Sequence, residues 1–438
     1  MDILLKNLNI VTQNESRDVF IGDILVGNNQ IKKIAKKINS TDIKYLDLSG
    51  ITVIPGLIQT HIHLCQALFR NLADDLELLD WLTDRIWPME MAHTESSLRA
   101  SARLGLTELL RSGVTSILDM GSALHMDVVF EEMAKSGIRG YSGKVMMDFG
   151  IQSYKESTKD AVESSERLIK KWNGERERRI HYALAPRFVL SCSKELWEAI
   201  ADLQKKYDLI IHSHASENRK EVEIVKTQTG YNNVEFFIKM NLGSPKLCLA
   251  HCVWVTEKEI EYLADSQINV LHCPAANLKL GSGFAPIPKF IKQGINVSLG
   301  SDGAPCNNNM DIFQDMRLAA LIHKPNFGVT SINSREVFDM ATINGAKTLG
   351  MEDKIGSIEE GKLADLTFIN LNKVHTTPAD NIYSQIIYSA HSKDVIHVMV
   401  DGNWVVKDGT PIAYDEKEII QDAWEECTAL IHRIQKIS

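Results

Sequence analysis

Eight short β-type runs, most of them separated by helix-sized intervals, constrain this chain more than anything else in it. They are Val53 to His63, Val114 to Met120, Gly140 to Met147, Ile180 to Pro186, Leu209 to His214, Leu247 to His251, Ile268 to His272 and Val297 to Ser301. Between them lie helical stretches such as Glu95 to Leu110, Lys194 to Lys206 and Thr256 to Asp265. That alternation argues for βα units on a parallel sheet, and eight units close a (β/α)8 barrel, so the predicted fold class is α/β. The two ends read as strands. Ile3 to Val11, Asp23 to Val26 and Gln30 to Ile34 have β-type spacing with a Gly27-Asn28-Asn29 turn, and Leu366 to Ile369, Val395 to Val400 and Trp404 to Lys407 follow near the C-terminus, the last two around Asp401-Gly402.

Rare side chains fall at the ends of these runs. His61 and His63 end the first, His214 the fifth and His251 the sixth, while Asp302 follows the eighth. Residues i and i+2 on a strand point the same way, so His61-x-His63 sends two imidazoles into one space. In a closed barrel all strands end at one mouth, where residues remote in sequence meet. Three histidines and an aspartate meeting there suit Zn²⁺ or Fe²⁺ with a position left for water. A lone strand histidine is ordinarily a packed or surface residue, and the chain has 14; the joint placement of His61, His63, His214, Glu217, His251 and Asp302 is what chance does not readily give. His272 is read as structural, and His212, on the same face as His214 but one layer deeper, as packing or support beneath the ligands. The charge run Glu175 to Arg179 is read as a solvated helix end.

Net charge is −9 and the pI near 5.9, which argues against nucleic acid or an anionic membrane as partner and for a small molecule. Seven scattered cysteines without a Cys-x-x-Cys pair suggest neither a disulfide framework nor a thiolate zinc cluster, and point to the cytoplasm. The N-terminus lacks the regions of a signal peptide, and no apolar stretch approaches the roughly 20 residues that span a bilayer, so a soluble protein is expected.

The motifs VIPGLIQTHIHL, SHASE, LAHCVW, HCPAANLKLGSG, LGSDGAPCNN and IGSIEEGKLADL, in that order, resemble the amidohydrolase superfamily in its cytosine/guanine-type deaminase and triazine hydrolase branch. FRNLADDLELLDWLTDRIWPMEMAH and DMRLAALIHK bring the chain nearest the 5'-methylthioadenosine/S-adenosylhomocysteine deaminases and 5'-deoxyadenosine deaminases. The resemblance implies a small β-sandwich from residues 1–56 and 360–438 beside a catalytic barrel at 57–359, and an enzyme that self-associates. It implies one divalent metal, most readily Zn²⁺ with Fe²⁺ as the alternative, on His61, His63, His214 and Asp302. Glu217 is then the proton-shuttling glutamate and His251 the accompanying site histidine, with Asp302 also taking the water proton. Binuclear relatives need a carbamylated lysine at the end of the fourth strand; Pro186-Arg187 stands there, which favours one metal.

The reaction implied is hydrolytic removal of the 6-amino group of an adenosine-type nucleoside, a C–N hydrolase of the cyclic-amidine class. Trp81 matches an aromatic wall, and Glu90 a carboxylate that can accept both hydroxyls of a ribose diol. Arg187 departs from the histidine common in adenosine-type relatives. With Gln66 it resembles guanine deaminases, since a guanidinium favours carbonyl or ring-nitrogen acceptors. Guanine or another oxopurine is the alternative substrate, and triazine amino- or chlorohydrolysis a further one. A non-catalytic scaffold of the same fold is the reading from another class, set against all ligand positions being present.

Overall fold

The computed structural model describes residues 2–40, 42–150, 156–174 and 179–435. Residues 175–178 of the predicted solvated charge run lie outside them. Eight parallel positions form the barrel in chain order: Leu57–Ile62, Val114–Asp119, Arg139–Ser142 with Val145–Met146, Ile180–Pro186, Ile210–Ala215, Leu247–His251, Asn269–His272 and Val297–Leu299. The eighth meets the first through a parallel bridge between Ile62 and Asp302, with the Asp302 N–H donating to the His61 carbonyl at 2.9 Å. Gly300 lies at this seam, where an added Cβ would come within 2.6 Å of the His61 carbonyl oxygen. Ile117, Phe130, Leu184, Trp197, Leu249 and Phe290 are among the buried residues joining strands to the surrounding helices.

The helices begin where the sequence supplies caps. Glu95–Arg111, Lys194–Tyr207 and Glu257–Asp265 start after Thr94, Ser193 and Thr256, each accepting a backbone N–H of the first turn. Thr256, predicted inside its helix, is thus the residue that starts it.

Two predicted runs are divided. Val53 to His63 is not one strand: Thr52–Pro55 belongs to the terminal sheet and Leu57–Ile62 to the barrel. Pro55 brings no N–H to continue a ladder. Gly56 lets the chain pass Thr115, whose Oγ1 would lie 2.1 Å from any Cβ placed there. The third run breaks at Gly143, where a Cβ would sit 1.8 Å from the Ala183 carbonyl oxygen.

The strands outside the barrel form one nine-stranded sheet in which Leu366–Ile369 pairs antiparallel with Thr52–Pro55, joining the two ends of the chain. Its core includes Leu5, Leu8, Ile24, Val53, Phe368 and Met399. The sheet curls until its turns meet, Asn29 Nδ2 donating to Asp401 Oδ2 at 3.2 Å. The C-terminal helix Glu416–Gln435 packs on the barrel side, with Leu430 buried beside Leu68 and Phe69, and Arg433 Nε donating to the Ala92 carbonyl at 2.8 Å. Among the described residues no helix is long and apolar enough to cross a membrane.

A buried ion triad ties the sheet to the barrel. Arg139, at the start of the third strand, binds Asp365 at 2.7 and 3.1 Å and Asp401 at 3.0 Å, all three nearly solvent-free. Leucine at this position leaves two carboxylates buried without their cation. Arg139→Leu is therefore expected to destabilise the fold by about 3–5 kcal/mol in urea denaturation; a loss under about 1 kcal/mol would show that water or rearrangement compensates the triad.

Candidate active site

The barrel's C-terminal mouth gathers the histidines. His61 is fully buried and His63 almost so, on the same side of the first strand. Ring nitrogens of His61, His63 and His214 lie within 4.8 Å of one another, and ligand atoms of His61, His251 and Asp302 do likewise. The Nε2 atoms of His61 and His63 stand 3.4 and 3.3 Å from Asp302 Oδ1. His251 Nε2 lies 3.5 Å from Glu217 Oε2 and 3.8 Å from Asp302 Oδ2. Ser216, His251, Cys252 and Asp302 all hold left-handed φ angles, of 53°, 73°, 47° and 63°. Such backbone costs about 1–3 kcal/mol per residue and collects at working sites.

Three of the imidazoles are anchored from outside by Nδ1. His61 Nδ1 meets His212 Nε2 at 2.7 Å, His214 Nδ1 donates to the Arg187 peptide oxygen at 2.6 Å, and His251 Nδ1 meets Asn277 Oδ1 at 2.8 Å. Their Nε2 atoms are thereby turned inward, and those of His61 and His251 are buried with no hydrogen bond to any of the described residues. Burial holds His63 down to about 3 and keeps His61 and His214 below the usual histidine range, so all three are neutral donors at pH 7. Burial opposes ionisation of Asp302, yet the surrounding imidazoles of His61, His63 and His251 hold its carboxyl well below the ordinary range. Three neutral imidazoles and one carboxylate around orphaned, inward-facing nitrogens fit a divalent cation. Glu217 differs: burial raises its carboxyl to about 7, and among the described residues its Oε1 finds no hydrogen-bond partner.

The predicted substrate residues form a connected group. Arg187 Nη1 binds Glu90 Oε2 at 2.6 Å, and Gln66 Nε2 donates to Glu90 Oε1 at 2.7 Å. Gln66, Trp81 and Arg187 line the cavity over the histidines, and Glu90 holds the first and last of these through its two carboxylate oxygens. Trp81 is fixed by its Nε1–H to the Ala73 carbonyl at 3.1 Å. Leu78, Leu82, Phe188 and Leu280 add apolar lining to this cavity, whose accessible space is about 30 Å³, room for roughly two waters. A larger hollow of about 570 Å³, lined by Tyr141, His181 and Lys347, opens at the opposite end of the barrel, but none of the clustered metal-type ligands among the described residues lies there.

Sequence reasoning left some residues of the site unassigned. Glu221 accepts the Glu217 N–H at 2.8 Å and pairs with Asn233 Nδ2, holding the glutamate loop in place. Asn218-x-x-Glu221 is a capping-box spacing and could have marked it. Asn277 supports His251 with no local sequence signal. His272 lies against another buried imidazole, that of His323, Nε2 to Nε2 at 3.2 Å.

The profile of the Amidohydrolase family matches residues 52–405. The chain is 39% identical over 402 residues to the 5'-deoxyadenosine deaminase of Methanothermobacter thermautotrophicus, covering 91% of this chain and 92% of the relative. It is 38% identical over 409 residues to the 5-methylthioadenosine/S-adenosylhomocysteine deaminase of Thermococcus onnurineus, covering 93% and 95%. Among solved structures, an adenosine deaminase from Xanthomonas campestris with bound zinc superposes with a TM-score of 0.93 at 27% identity, over 98% of this chain and 99% of that one.

Proposed function

The chain belongs to the amidohydrolase family, and from that premise we propose that it deaminates an adenosine-type nucleoside by metal-assisted hydrolysis. The products are the inosine analogue and ammonia. The carrying observation is the cage itself: inward nitrogens of His61, His63 and His214 with Asp302, and beside them a carboxyl, Glu217, raised to about 7. Relatives named as deaminases of 5'-deoxyadenosine and of 5-methylthioadenosine/S-adenosylhomocysteine support the nucleoside class.

His61, His63, His214 and Asp302 would hold one ion, which we take as Zn²⁺ from the nitrogen-rich donor set and the zinc in the similar Xanthomonas enzyme. When bound, it supplies Lewis acidity that brings the pKa of water from 15.7 toward about 7. Asp302 and His251, facing each other across 3.8 Å, orient the attacking water and take its proton. Glu217 gives its proton to the ring nitrogen beside the attacked C6, regains one of the protons released by the attacking water by way of His251, 3.5 Å from its Oε2, and passes it to the departing amine; the second water proton then restores the carboxyl. A carboxyl poised near 7 can both give and regain it. Trp81 stacks on the base, while Gln66 and Arg187, held by Glu90, read its edge. The seven free thiols, six of them buried, support a reducing, cytoplasmic setting.

The test is a panel of adenosine, 5'-deoxyadenosine, 5'-methylthioadenosine, S-adenosylhomocysteine, guanine and a chlorotriazine, ranked by kcat/KM from ammonia or chloride release. An adenine nucleoside should lead by at least about tenfold, since kcat/KM ratios report differential transition-state binding. Guanine leading would transfer the proposal to oxopurines, with Arg187 as its cause.

A further inference from the structure

We propose that His212 is a positioning residue for the metal cage, accepting the Nδ1–H of His61 so that the Nε2 lone pair of His61 faces the ion. The inference rests on the metal reading above. Imidazole nitrogens of the two residues meet at 2.7 Å with both side chains fully buried, and the rings stand edge to face at 89°. His212 precedes His214 by two residues on the fifth strand, Ile210–Ala215, so its ring points the same way from one layer deeper, beneath the cage.

The partner is chemically unusual. His214 is anchored by a peptide oxygen and His251 faces an amide oxygen. Either can only accept, so each fixes its imidazole with the proton outside. An imidazole can donate or accept. If His212 Nε2 carried the proton and donated, neutral His61 would carry its own proton on Nε2 and could not ligate. Only the pair with His61 Nδ1–H donating to His212 Nε2 is competent. His61 Nε2, buried and without a hydrogen bond, is what that state presents to a cation. No other hydrogen-bond partner of His61 Nδ1 occurs among the described residues, so its orientation depends on this contact.

Two volume-matched pairs separate accepting from packing: His212→Gln against His212→Met, and His212→Asn against His212→Leu should either member of the first fail to fold. Zn²⁺ affinity is read by chelator competition on otherwise intact protein, with folding checked by circular dichroism. The variants lacking an acceptor should bind Zn²⁺ about 10–100-fold more weakly, as is typical when a ligand histidine loses its outer partner. The amides should stay within about threefold of the parent. In ¹⁵N-resolved NMR of the zinc form, a protected His61 Nδ1–H should persist in the amides and be lost without an acceptor. Equal affinity within a pair, or unchanged affinity in Met or Leu, overturns the assignment and makes His212 a packing residue. If the parent binds no Zn²⁺, the metal reading itself falls, which is a different failure.

Discussion

Asp302→Asn is expected to lower kcat for adenine nucleosides by at least about 10⁴-fold, the largest effect of any single isosteric change in this chain. Three functions meet on that carboxylate. It stands 3.3 Å from His63 and 3.4 Å from His61, two of the proposed ligands, and 3.8 Å from His251. Its Oδ1 also accepts the Gly303 N–H at 2.7 Å, which helps hold the left-handed backbone at residue 302. An amide keeps the shape and one acceptor but loses the charge that balances a divalent ion and the basicity that takes the water proton. Proton transfer alone is worth roughly 10²–10⁴-fold, and weakened metal binding adds to it. Ammonia release and metal content measured on the same preparation check this. A variant keeping a tenth of the activity at full zinc would remove Asp302 from the chemistry.

Glu217→Gln should reduce kcat by about 10²–10⁴-fold while leaving zinc content intact, because in the proposed reaction the side chain moves protons and does not ligate. The same substitution carries a stability signature of opposite sign. Burial raises the carboxyl from 4.5 to about 7, so the folded chain holds this proton more tightly than the unfolded one. Stability from that proton is complete below about 4.5 and is lost as pH rises through about 7. Above that the ionised, buried carboxylate costs up to about 3 kcal/mol. Metal-free Glu217→Gln should therefore unfold at higher urea than the parent at pH 8 to 9, with the gap closing near pH 4.5. A variant that is less stable at both ends of that range would mean Glu217 is a structural residue. Lost activity with gained stability is what a group placed for chemistry should give.

The barrel was legible because its evidence is local and repeated: β-type runs at regular intervals, with histidines at their ends. His61-x-His63 needed only the two-residue period of a strand to be read as a pair. What escaped depends on backbones approaching from elsewhere. At the change of sheet between Pro55 and Leu57 the chain passes against Thr115, and at the break near Gly143 against the Ala183 carbonyl, approaches that only glycine allows and that the local pattern does not show. The contact between His61 and His212 spans 151 residues, and period alone could say only that His212 lies deeper. Glu90 shows the limit most clearly. The resemblance gave it a sugar diol as partner, but nothing in the local sequence foretold that its two oxygens also meet Gln66 and Arg187, an arrangement set by how a helix near the mouth packs.

Residue 187 serves two masters through different atoms. Its peptide oxygen steadies His214, and any amino acid supplies that oxygen; its guanidinium is held against Glu90 at the edge of the cavity. A substitution here can therefore change the side chain presented to the cavity while the oxygen that steadies His214 stays in place, so the two contacts can vary independently.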